Sequence, residues 1–305
     1  MSLTSSNPAP RGLVRRLKGE LMAIDKVDLI SRLTLLTLLL QPVGFWGVRP
    51  ILLAVSVIGL LSTTARQHWG LWATLTVLTG ARIVEDWPMS DNHAYLLVYW
   101  CLALTIGFYR AEPEIVGRLN ARWMLGLLFT FAVLWKGLLS PDYVDGTFFR
   151  VIFLTDERFA DAAQLFGDMT LDDLDLAYQS LSQPLPPGAE LVEPPPIPES
   201  AALHRLAILS TWVTLVLEAL VALAFLLPSS LRPLGWLHRY RDFVLVAFCT
   251  ITYPIAPVVG FGWLLLTMGI AQARDERRLL YLATFLLLIF YRGVPWASLL
   301  VERLG

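Results

Sequence analysis

The sequence predicts an all-α fold: a polytopic transmembrane helix bundle of about eight spans, one broken or re-entrant, with a small extramembrane helical segment. Three observations predict it. The 305 residues are 56% hydrophobic with a mean hydropathy of +0.59, beyond the range of an ordinary soluble domain. Charged residues make up only 16%, and the stretches 33–48, 50–65, 67–81, 94–109 and 243–273 hold no Asp, Glu, Lys or Arg. The charge is also segregated. Residues 141–200 carry twelve Asp or Glu against two Arg, so a net charge of −1 conceals about +9 on the rest of the chain.

Residues 1–27 are polar and basic and form a cytoplasmic N-terminal segment, with no small-residue cleavage site after a short apolar core. The first span is expected to be an uncleaved anchor. Residues 28–140 hold spans one to five, near 28–46, 48–65, 68–86, 93–109 and 122–140. An acidic extramembrane segment fills 141–203, and spans six to eight, near 204–227, 242–272 and 278–300, fill 204–305. Each apolar run approaches the ~20 residues that cross ~30 Å of hydrocarbon.

Orientation follows from Lys and Arg, which concentrate in cytoplasmic loops. Arg11, Arg15, Arg16, Lys18, Lys26 and Arg32 place the N-terminus in the cytoplasm. Alternation then puts Arg66, the Arg110–Arg122 loop and the Arg232–Arg241 loop on the same side, and 87–92 and 141–202 outside. A bacterial inner membrane fits this pattern. One cluster, Arg274, Arg277 and Arg278, breaks it if 242–272 crosses once. The run Phe243–Ala273 has 31 uncharged residues, about 46 Å as one helix. Its middle reads Tyr253-Pro254-Ile255-Ala256-Pro257, followed by Gly260 and Gly262. Two prolines break a helix, so a hairpin would return the arginines to the cytoplasm, and a single kinked span would not.

Within 155–183, Phe159, Ala163, Phe166, Leu171, Leu174 and Leu181 recur near helical spacing, and Thr170 precedes acids as an N-cap does. Residues 184–198 contain seven prolines, a polyproline linker. This segment is the expected docking place of a protein partner. The other partner is the lipid bilayer. Six tryptophans near span ends (Trp46, Trp69, Trp72, Trp87, Trp236 and Trp296) fit an aromatic belt. Cys101 and Cys249 lie in apolar runs as inert thiols, and no metal-ligand spacing or nucleic-acid-binding motif occurs.

Ionisable groups within apolar helices are costly and mark candidate sites: Arg82, Glu85, Asp86, His93, Lys136, Glu218 and Arg292. Arg82 and Glu85, three apart, suit an ion pair or a ligand contact. Asn92-His93 opens a span, where His93 could cap the helix, bind a ligand or exchange protons. Lys136, among apolar neighbours, could act as a base or snorkel to the headgroups. Glu218 lies near the middle of Leu206–Leu227 and must be protonated, hydrated or paired to Lys136 or Arg82.

Two short motifs carry a resemblance. Asp91-Asn92-His93-Ala94-Tyr95-Leu96 opens one span, and Phe131-Ala-Val-Leu-Trp-Lys136-Gly-Leu-Leu-Ser-Pro-Asp142-Tyr-Val-Asp-Gly146 ends another. With the later Gly260-Phe-Gly-Trp263, they resemble the transmembrane part of vitamin K-dependent γ-glutamyl carboxylases and their bacterial HTTM-domain relatives. The resemblance spans roughly 30–300. It implies that Lys136 is a base toward a reduced quinone and that His93 supports it; Arg82, Glu85, Asn92 and Tyr253 are ligand-contact candidates from their places in the chain. Glu218 joins the catalytic candidates from its place in the membrane. The chain departs from the family in three respects. Lys136 stands about two residues from the expected position, roughly 200° around the helix. Tyr253 stands near a family histidine, and the large lumenal domain is missing. A quinone-like or lipidic ligand is therefore expected rather than a peptide substrate. The alternatives are a non-catalytic subunit docking a partner through 141–203 and, last, a transporter, which would carry two broken helices rather than one.

Overall fold

The computed structural model describes residues 19–42, 45–88, 90–182, 197–231, 234–256 and 258–293, and no strand occurs among them. In chain order the helices are α1 (Lys26–Leu40), α2 (Arg49–Leu61), α3 (Thr63–Gln67), α4 (Trp69–Glu85), α5 (Asn92–Tyr109) and α6 (Pro113–Leu134), which continues as a π-helical turn, Trp135–Leu139. Then come α7 (Pro141–Val144), α8 (Thr147–Thr155), α9 (Ala160–Gly167), α10 (Leu171–Ser182), α11 (Ala201–Leu226), α12 (Gly235–Thr252), α13 (Val259–Gln272) and α14 (Arg278–Gly293). The chain forms two compact units, 1–124 with 260–285 and 125–259 with 286–305.

Local chemistry sets the helix ends. Asp25, Ser62, Asp91 and Ser200 each accept a backbone N–H at the start of α1, α3, α5 and α11. Thr170 and Asp173 cap α10 reciprocally, Thr170 N donating to the Asp173 carboxylate (3.0 Å) and Asp173 N to Thr170 Oγ1 (3.1 Å). The amphipathic stretch 155–183 is not one helix. It is broken at Asp168, whose φ of 53° is left-handed, and it buries Phe159, Ala163 and Leu174 while leaving Phe166 and Leu171 exposed. The proline-rich part, 183–196, lies outside the described residues, as do the basic residues before 19, Pro257, Trp296 and the Arg292 side chain.

In the first unit, one end is tied together by charge. Lys26 Nζ donates to Ala273 O (3.1 Å) and lies 3.2 Å from Asp275 and 3.8 Å from Glu114. Arg278 donates to Ile24 O (2.6 Å) and Asp275 (2.7 Å). Arg66 is 1% exposed, and its guanidinium donates to Asp28, Gly59 O, Leu60 O and Thr63. At the far end of α1, Gln41 packs on the backbone of Gly260, where a Cβ would collide with it. α13 therefore begins beside the end of α1 and finishes beside its start. The two helices are antiparallel. The Arg274–Arg278 connection thus stands at the Lys26 end of α1.

The expected span 242–272 is two helices. α12 begins at Gly235, so His238, Arg239 and Arg241 are helical rather than in a loop. It ends at Thr252, and α13 starts at Val259. At the break, the Pro254 carbonyl accepts from the Tyr291 hydroxyl (2.7 Å). The Arg110–Arg122 loop is similarly reduced. Ala111, with φ 56°, turns the chain and Pro113 starts α6, because proline suits a first helical turn.

In the second unit, α6 and α11 are antiparallel. Gly126 lies against Phe225 and Leu226, and Lys136 bonds to Glu218. The segment after α6 folds as a small helical subdomain with its own core of Tyr143, Phe149, Phe153, Phe159, Met169 and Leu174 packed on Leu203, Ala207 and Leu215 of α11.

Two helical stretches, Pro113–Leu139 and Ala201–Leu226, are long and apolar enough to cross a membrane, with hydropathies of 1.4 and 2.2. Only 17% and 33% of those windows are buried, unlike the mostly buried core helix of a soluble protein. Large apolar residues such as Phe131, Leu138, Leu209 and Val216 are exposed, while Thr34, Thr37, Ser56, Thr79, Thr211 and Thr267 are buried. Buried threonines return their hydroxyls to the carbonyl four residues back, as Thr34 does to Ile30 O (2.8 Å), and Trp100 Nε1 donates to Thr34 Oγ1 (2.9 Å). Trp72 departs from the expected belt. It is fully buried and donates to Arg66 O (2.9 Å), because its indole N–H closes the Arg66 turn. Cys101 and Cys249 are free and buried.

Candidate functional site

A helix that ends in a π-turn presents its side chains about one position out of α-helical register, and such turns recur at functional sites. Here the turn Trp135–Leu139 carries Lys136 at the end of α6. Its Nζ lies 2.5 Å from Glu218 Oε1 of α11 and 5.1 Å from the centre of the Tyr143 ring. Glu218 is 6% exposed, so the pair works in a low-dielectric setting where each charge needs the other.

The residues that follow Lys136 have structural reasons for their identity. Asp145 accepts from Thr147 N (2.8 Å) at the start of α8. Gly146 has φ +86°, and a Cβ there would come within 2.8 Å of Ile208. This tight corner sends Tyr143 inward, where its carbonyl accepts from Thr211 Oγ1 (3.1 Å). Burial pushes the Tyr143 phenol above its ordinary pKa, and the nearby Glu218 charge adds to this, so it stays a hydrogen-bond donor at neutral pH.

Buried polar atoms are nearly always hydrogen-bonded, so exceptions mark special sites. Two examples belong to the second unit. Glu218 Oε2 and the Tyr253 hydroxyl are buried without a hydrogen-bond partner, and Tyr253, 2% exposed, lies within the field of Glu218. The Tyr143 hydroxyl, 3% exposed and beside Thr214, also lacks a well-aligned partner. This unit thus holds, in an ammonium, a carboxylate oxygen and two phenols, three donors and one acceptor. Tyr253 itself packs edge-on to Phe248, which packs edge-on to Phe129.

Of the candidates named from the sequence, Lys136, Glu218 and Tyr253 fall in the second unit, and Lys136 and Glu218 meet. Tyr143 was not singled out. Its signal is an aromatic seven residues after a span-ending lysine. Arg82, Glu85, Asn92 and His93 belong to the first unit. Arg82 pairs with Asp86 (3.1 Å) rather than Glu85, because Asp86 sits where α4 ends and its carboxylate turns back, whereas Glu85 points outward. His93 is not a cap. Asp91 caps α5, and His93 packs on Phe261 (4.0 Å between ring centres) with Nδ1 3.7 Å from Asp91. That histidine holds the Asp91 carboxyl down to about 2, helped by the Ala94 N–H and Arg82 and opposed by partial burial. Asn92 is exposed in the first turn of α5.

A separate cleft of about 290 Å³ is lined by Arg150, Glu199, Ser200, Ala201, Leu203 and His204, with Arg150 3.0 Å from Glu199. Among the described residues, no three His, Cys, Asp or Glu side chains gather to hold a metal ion. Comparisons of the chain with protein-family models, with curated proteins and with solved structures find no match.

Proposed function

We propose that this chain is a polytopic membrane protein that holds the polar head of a quinone-like or other lipidic ligand at the Lys136–Glu218 pair. The observation that carries the reading is the half-buried Lys136–Glu218 pair, whose Glu218 Oε2 is unpartnered, as is the Tyr253 hydroxyl. A head group with a hydroxyl and a carbonyl would donate to Oε2 and accept from the phenols and Lys136. An isoprenoid or acyl tail would lie along the exposed apolar face of α6. Lys136 and Glu218 can then share a proton released by the ligand's hydroxyl, the role the carboxylase resemblance implies for the lysine. The reading makes no use of His93, Arg82, Glu85 or Asn92.

The membrane part of the proposal rests on the two long, apolar, poorly buried helices and on the inverted pattern of exposed apolar and buried polar residues. Antiparallel α1 and α13 favour the reading that returns Arg274–Arg278 to the side of the N-terminus. With it Arg274, Arg277 and Arg278 join Lys26 and Arg66 on the cytoplasmic side of a bacterial inner membrane, which satisfies the charge rule with nine crossings.

The test is binding of a short-chain naphthoquinone, reduced and oxidised, to the full chain in neutral-lipid nanodiscs, read by tryptophan quenching. Glu218→Gln and Tyr253→Phe are each expected to weaken binding about tenfold, the loss of one hydrogen bond to a buried group. Tyr253→Phe should leave the thermal midpoint level or raised, because it removes an unpartnered hydroxyl. Equal affinity in wild type and both variants sinks the proposal.

A further inference from the structure

The subdomain between α6 and α11 has a face that its own core does not use. α10 turns Leu174 and Ala177 inward, leaving Leu171, Asp175 and Tyr178 exposed along one side and Asp172 and Leu176 exposed on the side adjoining it. Phe166 of α9 is exposed as well, and so is Asp168 of the turn that follows it. Neighbouring groups are already spent. Asp156 binds Arg158, Arg150 binds Glu199, and Asp173 closes the cap of α10. The reciprocal cap and the packed core make this face a firm platform rather than a loose tail.

Its charge is one-sided. From Arg158 to His204 the chain has no Lys, Arg or His, yet it has eight Asp or Glu. No cation from this stretch of chain can neutralise Asp168, Asp172 or Asp175. Exposed leucines and aromatics among carboxylates repel an anionic lipid surface and a second copy of the same face, and they attract a segment that is both apolar and cationic. We infer that the α9–α10 face is a docking surface for a partner protein that presents a Lys- or Arg-rich amphipathic segment, with Leu171, Leu176 and Tyr178 as anchors and Asp168, Asp172 and Asp175 as the charged rim. This goes beyond the ligand reading and is independent of it, since none of these residues touches Lys136 or Glu218.

The test is photo-crosslinking in native membranes, with benzoylphenylalanine at Leu176 of the full chain and at exposed Leu209 as control, followed by mass spectrometry of the adduct. The expected result is one protein adduct at Leu176, mapped to a segment rich in Lys or Arg. Its yield should fall about tenfold in Asp172→Asn/Asp175→Asn and in Tyr178→Ala, the range of an interface anchor. Unchanged thermal midpoints would show that these surface variants still fold. No protein adduct, an adduct to lipid, to a second copy or to the chain's own basic residues 11–18, or a yield unaffected by the charge variant overturns the inference. Quinone binding should be unaltered in every one of these variants, which separates this outcome from that of the Lys136–Glu218 proposal.

Discussion

Each unit has an ion pair with one deeply buried member, and the pairs differ in how completely they are satisfied. Arg66 spends its guanidinium on Asp28, two helix-end carbonyls and a threonine, and Asp28 also accepts from Arg32 (2.7 Å). Arg66 thereby ties the α2–α3 turn to Asp28 of α1. Lys136 and Glu218 have each other, but Oε2 has no hydrogen-bond partner, and the two phenols nearby lack well-aligned partners. A saturated pair holds helices in register. An unsaturated one costs stability that a purely structural pair would not. The difference separates a structural charge from a site.

The sharpest way to break this contrast is to remove one partner from each pair. Arg66→Met should cost about 3–5 kcal/mol, because it strands helix-end carbonyls and a carboxylate. The double variant Lys136→Met/Glu218→Leu should cost at most about 1 kcal/mol, since an incompletely bonded pair is replaced by well-packed apolar groups. Reversible unfolding in mixed micelles measures both. Equal losses would mean that Lys136–Glu218 is structural too.

A smaller effect compares packing. A methyl group on Gly269 would meet Tyr281 at 2.3 Å in the first unit, and one on Gly126 would meet Leu226 at 2.5 Å in the second. Gly269→Ala should be the costlier, toward the upper end of about 1–3 kcal/mol, because the fully buried Tyr281 has no room to move, whereas the Leu226 side chain can turn. Thermal midpoints would rank them.

The smallest effect is a pH dependence. Asp91 titrates near 2 when folded, below its ordinary 3.8, so the carboxylate form is the stabilising one. Its capping of α5 is complete above about pH 4 and is lost as the pH falls toward about 2. In Asp91→Asn that loss should vanish from hydrogen-exchange profiles of the first turn of α5.

Much of the helix layout was legible before any coordinates. Apolar runs bounded by polar residues locate α2, α4, α5 and α11 to within a few residues, and the starts of α1 and α14. Thr170 and Asp173 announce the α10 cap, since a capping box is local chemistry. The Arg82–Glu85 pair was misjudged because its alternative, Asp86, depends on how the helix terminates. Trp72 was taken for a belt residue because spacing alone does not distinguish an indole at an interface from one buried against Arg66.

By itself the sequence determined the all-helical character, the break near Pro254, the isolation of Glu218 in an apolar helix, and the cation-free acidic stretch. Each is a statement about composition or about residues within a turn or two of one another. Only the tertiary structure decided that Lys136, 82 positions away, is the partner of Glu218, that Tyr143 folds back over it, and that Arg274–Arg278 returns to the start of α1. Those outcomes depend on which helices run antiparallel and at what height they meet. A π-turn, a left-handed glycine and a broken helix set that geometry, and no periodicity along the chain encodes it.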